Sequence, residues 1–235
     1  MIDILDLLEF QVLAAARNID SYYGFSREKA AAKEEVYYTV YLMARSGILK
    51  QEKEGLIIQP PFSGYLDEIK NSSCVLVIDR GGYILPRQCI YFGGGQYVCL
   101  EYCCTDQERI GVCGMGEEEF FLQLKELDQL PEPRLAEGSG QFDFPKYWEN
   151  HLSERLKEMP EDEEDREEYP KDDQVHSVFT LRSKETGRIF ARMILAALPL
   201  EYCMIVKKAG EPASREPYTR EKAWEILKAW WRNKG

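Results

Sequence analysis

The sequence predicts an α+β fold in which two units, each of three antiparallel strands followed by a helix, are related by a pseudo-twofold axis. Residues 73–127 and 175–234 both contain three apolar runs of strand length separated by turn residues, and each set precedes an amphipathic helix. Aligning the two first strands requires an offset of about 103 residues, and the two helices agree with it. The shared order and offset predict an internal duplication.

A repeated tetrapeptide does not follow this offset. Leu-Glu-Tyr-Cys occurs at 100–103 and again at 200–203, which is a separation of 100 residues. The first copy ends the third strand of its unit, whereas the second copy begins the third strand of the other. We therefore attribute the identity to chance, and neither copy predicts a chemical site.

The N-terminal region adds further elements. Apolar residues at helical spacing predict a helix over 3–17, and a second helix is expected between a Ser26 cap and Gly47. Residues 48–58 predict a two-stranded ribbon, and 63–72 a short helix. The apolar face of the second helix comprises Val36, Val40 and Met43, with Tyr37 and Tyr41 alongside.

Turn residues set the boundaries within the two units. Pro86 cannot donate a ladder hydrogen bond, so the strand that contains it is expected at an edge or a bulge. Gly93–Gly95 predicts a hairpin turn, and Thr219 is the expected cap of the last helix. The predicted strands are 73–79, 83–92, 96–103, 175–182, 188–198 and 200–208, with a loop after the third and the sixth.

These elements predict three segments within one compact domain. Residues 1–128 hold the N-terminal helices and the first unit, and residues 174–235 hold the second unit. The linker over 129–173 is expected to contain one helix and an acidic loop. Its stretch 160–173 carries nine carboxylates and two bases, and self-repulsion favours a solvated loop there.

The charge distribution argues against a nucleic-acid partner. The net charge is −11, whereas binding to phosphates needs clustered Lys and Arg. The second helix and the ribbon resemble a winged helix, but Glu52 and Glu54 alternate with Lys50 and Lys53 at the ribbon tip. No apolar run is long enough to span a membrane, and the acidic N-terminus is unlike a signal peptide. We therefore expect a cytoplasmic protein without membrane insertion.

The seven cysteines and two histidines do not predict a metal site or a disulfide framework. The cysteine count is odd and the chain has no Cys-x-x-Cys pair. Cys99 and Cys103 share a strand face but lie about 13 Å apart along it, too far to share a zinc ion. Free thiols are therefore expected at positions 74, 89, 99, 103, 104, 113 and 203.

No catalytic signature is present. The chain lacks Gly-x-Ser-x-Gly, a phosphate-binding loop and His-Glu-x-x-His. Gly93–Gly95 lies between two strands, where a hairpin turn is expected instead of a phosphate cradle. The sequence therefore predicts a protein that is not an enzyme and that has no cofactor.

Two short pieces carry a resemblance to a known family. They are Ser46–Pro60, with the sequence SGILKQEKEGLIIQP, and Thr186-Gly187-Arg188 in the second unit. With the order of elements, the chain resembles the EspG-like chaperones of type VII (ESX) secretion. The resemblance implies an α+β fold with internal pseudo-twofold symmetry and a cytosolic chaperone that holds a helical secretion substrate. The cysteine-rich strands and the acidic insertion depart from that family's pattern.

A protein partner, expected to be a helical-hairpin secreted substrate, would need aromatic anchors. The candidates are Trp224, Trp230 and Trp231 on the last helix. Trp230 and Trp231 point about 100° apart on a helix, so we expect one of them to face outward. The alternative function is a cytosolic immunity-type protein that neutralises a toxin by binding it.

Overall fold

In the computed structural model, the described residues are 2–25, 30–53, 55–80, 87–103, 106–133, 175–197 and 202–232. Most of the predicted linker, including the acidic stretch, therefore lies outside them, as do Ser26, Pro86 and Cys104. The described elements confirm a mixed α+β protein with a large antiparallel sheet.

The N-terminal region contains a strand, three helices and a ribbon. Their bounds are β1 (Asp3–Asp6), α1 (Leu7–Ala16), α2 (Lys33–Ser46), β2 (Leu49–Glu52), β3 (Gly55–Ile58) and α3 (Phe62–Asn71). The predicted helix over 3–17 is therefore wrong in its first turn. Asp6 is the N-cap of α1, its N–H bonds to Glu9, and the residues before it pair with another strand.

The remaining elements form two successive sets of four strands and a helix. The first set is β4 (Cys74–Arg80), β5 (Gln88–Phe92), β6 (Tyr97–Cys103), β7 (Asp106–Met115) and α4 (Glu117–Glu126). The second set is β8 (Val175–Ser183), β9 (Ile189–Ala197), β10 (Tyr202–Lys208), β11 (Ser214–Pro217) and α5 (Arg220–Arg232). The predicted loops after the third and sixth strands are wrong, since β7 and β11 lie there.

Nine of the described strands form one sheet in the order β1-β7-β6-β5-β4-β8-β9-β10-β11. All neighbouring strands are antiparallel, and β4 and β8 pair where the two sets meet. The ribbon of β2 and β3 stands apart as its own two-stranded sheet. The first strand of each set is therefore central, and β1 and β11 are the edges.

Two cores cover opposite faces of the first half of the sheet. Side chains alternate along β4, so Leu76 and Ile78 face α4 and α5, whereas Val75 and Val77 face the N-terminal helices. Phe10 of α1 and Ile69 of α3 complete the second core. The near-continuous apolar sequence of β4 follows from this burial on both faces.

Candidate partner-binding surface

The three tryptophans of α5 are buried, with exposed fractions of 6% for Trp224, 5% for Trp230 and 4% for Trp231. The expectation that one of them faces outward is therefore wrong. Trp224 stacks on Phe121 of α4 with ring centroids 5.2 Å apart. Trp231 meets Tyr97 of β6 edge to face at 5.2 Å. Because α5 packs against both the sheet and α4, two adjacent tryptophans can be buried on it.

Among the described residues, the exposed aromatic side chains are concentrated on α2. Tyr37, Tyr38 and Tyr41 are 64%, 63% and 58% exposed, and Leu42 beside them is also exposed. The opposite side of the helix carries Met43, which is fully buried. We call Tyr37, Tyr38, Tyr41 and Leu42 the tyrosine face. It consists of two pairs at i, i+4 spacing, which places their side chains next to one another along the helix.

Local interactions fix the helix that carries the tyrosine face. At its start, the Ala32 N–H donates to Glu35 Oε2 at 2.9 Å. At its end, Gly47 has φ = 85°, the left-handed conformation that glycine adopts at no steric cost. The buried side packs against α1 and β2. The tyrosines therefore project from a helix with defined ends and a supported back.

The ribbon next to α2 exposes two more large apolar side chains. Leu56 and Ile57 of β3 are 44% and 42% exposed. Leu49 and Ile58 lie opposite each other in the ribbon register and are buried, so they anchor it to the core. Because β2 contacts α2, the ribbon and the tyrosine face belong to one structural unit.

The charges on α2 and the ribbon are mixed. Lys33 Nζ lies 5.5 Å from the centroid of the Tyr37 ring, within range for a cation–π interaction. Glu34 and Glu35 occupy the first turn of the helix, and Lys50 lies opposite Ile57 in the ribbon. This mixture suits an interface with an apolar centre and a polar rim.

Sequence reasoning had placed Tyr37 and Tyr41 beside the buried face and did not select them as partner-binding residues. Tyr38 and Leu42 were missed altogether. A signal was available, because Val36, Val40 and Met43 define the apolar stripe, and the four residues of the tyrosine face point about 90° or more away from the centre of that stripe on a 3.6-residue helix.

The triple glycine is a hairpin turn that binds a carboxylate of the same chain. Glu68 Oε2 accepts from the Gly93 N–H at 2.9 Å and from the Gly95 N–H at 3.3 Å. Glu68 Oε1 accepts from the Gln96 N–H at 3.2 Å. The backbone donors that a phosphate would require are therefore occupied by an internal anion.

The ionisable side chains near the end of α4 bind one another and join neighbouring elements. His176 Nε2 lies 2.6 Å from the backbone oxygen of Asp128, and Arg80 binds the Asp128 carboxylate at 2.8 Å. Asp128 has φ = 53°, so these contacts hold a left-handed residue just after the helix. The cluster ties α4 to β4 and β8.

Polar side chains that line a cavity beside β10 and β11 also make contacts within the fold. Tyr218 in its wall donates its hydroxyl to Pro131 O at 2.8 Å. Glu216 pairs with Lys222 at 2.6 Å, and this pairing lowers the pKa of the Glu216 carboxyl. These groups stabilise the start of α5.

Within the part of the chain that the structure describes, no cluster of three or more His, Cys, Asp or Glu side chains has the geometry to hold a metal ion. Across the same residues, no helix combines the length and the apolar character needed to span a membrane. No family model matches the chain, and no curated protein matches it.

Proposed function

We propose that this protein is a non-enzymatic binding protein that holds a helical protein partner on the tyrosine face and the neighbouring ribbon. The observation that carries the proposal is the exposure of Tyr37, Tyr38 and Tyr41 on one side of α2. Tyrosine offers a large apolar contact area, loses little side-chain entropy on binding and keeps a polar hydroxyl. Clusters of such residues act as binding hot spots.

A helical partner fits the shape of this surface. The tyrosine face is a row of side chains along α2, and an amphipathic helix presents a complementary row at i, i+3 and i+4 spacing. Leu56 and Ile57 of the ribbon extend the apolar area beside it. Burying the apolar stripe of a partner helix here would remove it from water until release.

The resemblance to EspG-like chaperones makes the proposal more specific. In that role, the protein keeps a secreted helical hairpin soluble in the cytoplasm before type VII secretion. Ser46–Pro60, one of the two pieces that carry the resemblance, contains the ribbon that we assign to the binding surface. An immunity-type protein that neutralises a toxin is the competing function, and the identity of the partner separates the two.

The duplication belongs to the same proposal. We infer that the two sets of four strands and a helix arose by duplication around the β4–β8 pair. Support comes from the antiparallel pairing of β4 with β8 and from the packing of α4 and α5 into one core. In this view, the N-terminal helices and ribbon are the addition that carries binding, and the duplicated sheet is the scaffold.

The experiment compares partner capture by the wild-type full chain, three tyrosine variants and one control variant. The wild type is immobilised and proteins retained from the native cytosol are identified, then the affinity of the purified partner is measured. Tyr41→Ala is expected to weaken binding by about 2 kcal/mol, or roughly 30-fold, as loss of a hot-spot aromatic does. Leu122→Ala is the matched control, because Leu122 is 49% exposed but lies on α4.

Full binding by Tyr41→Ala, Tyr37→Ala and Tyr38→Ala would exclude the tyrosine face. Equal losses in these variants and in the Leu122 control would indicate a general effect instead of a local contact. A captured enzyme that loses activity on binding would favour the immunity function. A small helical protein that aggregates without this chain would favour the chaperone function.

A further inference from the structure

Two thiols lie directly opposite each other in the sheet. Cys99 on β6 and Cys113 on β7 are register partners in an antiparallel pair. Both are free, and their thiols are hydrogen-bonded to each other. Directly opposed residues in such a pair have Cα atoms about 4.5 or 5.5 Å apart. Both spacings fall within the range of about 4.4–6.8 Å found in disulfides, so the backbone geometry suits a bond.

Other cysteines on the described strands have different partners. Cys74 lies opposite Ser183, Cys89 lies between Val77 and Leu100, and Cys203 lies between Ala196 and Pro217. The register partner of Cys103 is Asp106. Among the described residues, Cys99 and Cys113 are therefore the cysteines that face each other across a ladder.

The two thiols differ in reactivity. The hydrogen bond with Cys99 lowers the pKa of Cys113, whereas the same bond and burial raise the pKa of Cys99. The Glu101 carboxylate opposes ionisation of both. Cys113 is also the more exposed of the two, at 8% against 2%. Thiolate character and access both favour Cys113 as the first thiol to react.

We propose that Cys99 and Cys113 form a redox-active dithiol that hydrogen peroxide converts to a cross-strand disulfide. The Cys113 thiolate attacks one peroxide oxygen and breaks the O–O bond, which gives a sulfenic acid; the released hydroxide takes up the proton that Cys113 lost and becomes water. The Cys99 sulfur then attacks the Cys113 sulfur. The hydroxyl group leaves with the Cys99 proton as a second water, and two electrons have passed from the sulfurs to peroxide.

The test treats the native full chain with hydrogen peroxide, blocks the remaining thiols and maps disulfides by mass spectrometry after trypsin digestion. Cys113 is the one cysteine of tryptic peptide 110–125, and Cys99 lies in peptide 88–109. The expected product is a crosslink between these peptides, with fragmentation that assigns it to Cys99. Thiol titration of the folded protein should show a loss of two thiols per chain.

Variants distinguish this pair from its neighbours. Cys99→Ser should abolish the crosslink and leave Cys113 as a sulfenic acid that a dimedone probe labels, whereas Cys103→Ser should leave the crosslink unchanged. The proposal is overturned if no crosslink forms, if fragmentation places the bond elsewhere, or if the bond appears only in denaturant. The wild-type map decides the assignment even if a variant folds poorly.

Discussion

Trp224 lies between aromatic residues of α4, stacked on Phe121 and edge to face with Phe120 at 5.7 Å. Pairs of this kind add about 0.5–1.5 kcal/mol beyond the burial of their area. Tyr37 has the opposite setting, since its ring is largely in solvent under the Lys33 ammonium. At the scale of single residues, aromatic side chains thus divide into those that stabilise the fold and those available to a partner.

Truncation of Trp224 tests whether the buried aromatic side chains stabilise the fold. Trp224→Ala should lower the free energy of unfolding by about 3–5 kcal/mol, because it removes a large buried side chain and leaves a cavity. Tyr37→Ala is the control and should lower it by about 0.5 kcal/mol or less. Urea titrations of both variants and the wild type measure these differences. Similar values for the two variants would contradict the assignment of Trp224 to the core.

At the scale of elements, two lysine side chains cap helix C-termini and so join segments that are distant in the sequence. Lys184, in the β8–β9 turn, donates to Ile69 O at 2.9 Å and Lys70 O at 2.8 Å at the end of α3. Lys70 in turn donates to Arg17 O at 2.9 Å, just after α1. Both cations lie where a helix dipole is negative. Lys184 thus holds the β8–β9 turn against the end of α3.

The glycine hairpin packs closely on α3, and two glycines test that contact in opposite directions. A Cβ at position 93 would lie 2.7 Å from the backbone oxygen of Glu68, so Gly93→Ala should destabilise the protein by about 1–3 kcal/mol. A Cβ at position 64 of α3 would meet Gln96 at 3.6 Å, an ordinary contact. Gly64→Ala should therefore stabilise the protein by up to about 1 kcal/mol.

Thermal unfolding of the two glycine variants beside the wild type provides the measurement. The melting temperature should fall for Gly93→Ala and stay equal or rise for Gly64→Ala. A decrease of the same size in both variants would mean that the hairpin and α3 tolerate no added methyl group at all. The close contact with Glu68 would then not be the cause.

The sequence predicted elements with regular apolar spacing and failed where spacing is irregular. The ribbon and α4 have clear periods and turn residues, and both are present. In β7, Gly111 and Gly114 have no side chain and lie on opposite faces of the strand. Each face therefore lacks an apolar side chain at one position, and the alternation typical of a strand is lost. The short charged β11 has no alternation either. Tertiary pairing, which no local pattern records, makes both of them strands.

At the scale of the whole molecule, the packing of α4 and α5 over the sheet determines the burial of the tryptophans. A helical wheel of α5 predicts that the side chains of Trp230 and Trp231 point about 100° apart, but it gives no information about a second helix packed against α5. In the folded protein, Lys228 of α5 lies 3.7 Å from Glu117 at the start of α4, and both helices share one core over the sheet. Burial on two sides follows from that arrangement of helices, which depends on the complete order of strands.

Tyr97 contacts aromatic side chains from three other elements. Its ring stacks on Phe92 of β5 and Phe120 of α4 and meets Trp231 of α5 edge to face. Burial and then the Glu117 carboxylate raise the pKa of Tyr97 to about 12, and Arg232 opposes them. The folded state therefore keeps a neutral phenol that the unfolded chain ionises near pH 10. The resulting stability is fully present below pH 10 and is lost as the pH rises through about 12.

Tyr97→Phe keeps the ring contacts and removes this titration. Its free energy of unfolding should fall less between pH 10 and pH 12 than that of the wild type. Part of the fall should persist, because burial also raises the pKa of Cys89 to about 12 and that of Tyr91 well above its usual value. Tyr37→Phe is the matched control and should follow the wild type. Denaturant titrations at several alkaline pH values provide the measurement. If the free energy of unfolding depends on pH equally in Tyr97→Phe and the wild type, ionisation of Tyr97 does not control alkaline unfolding.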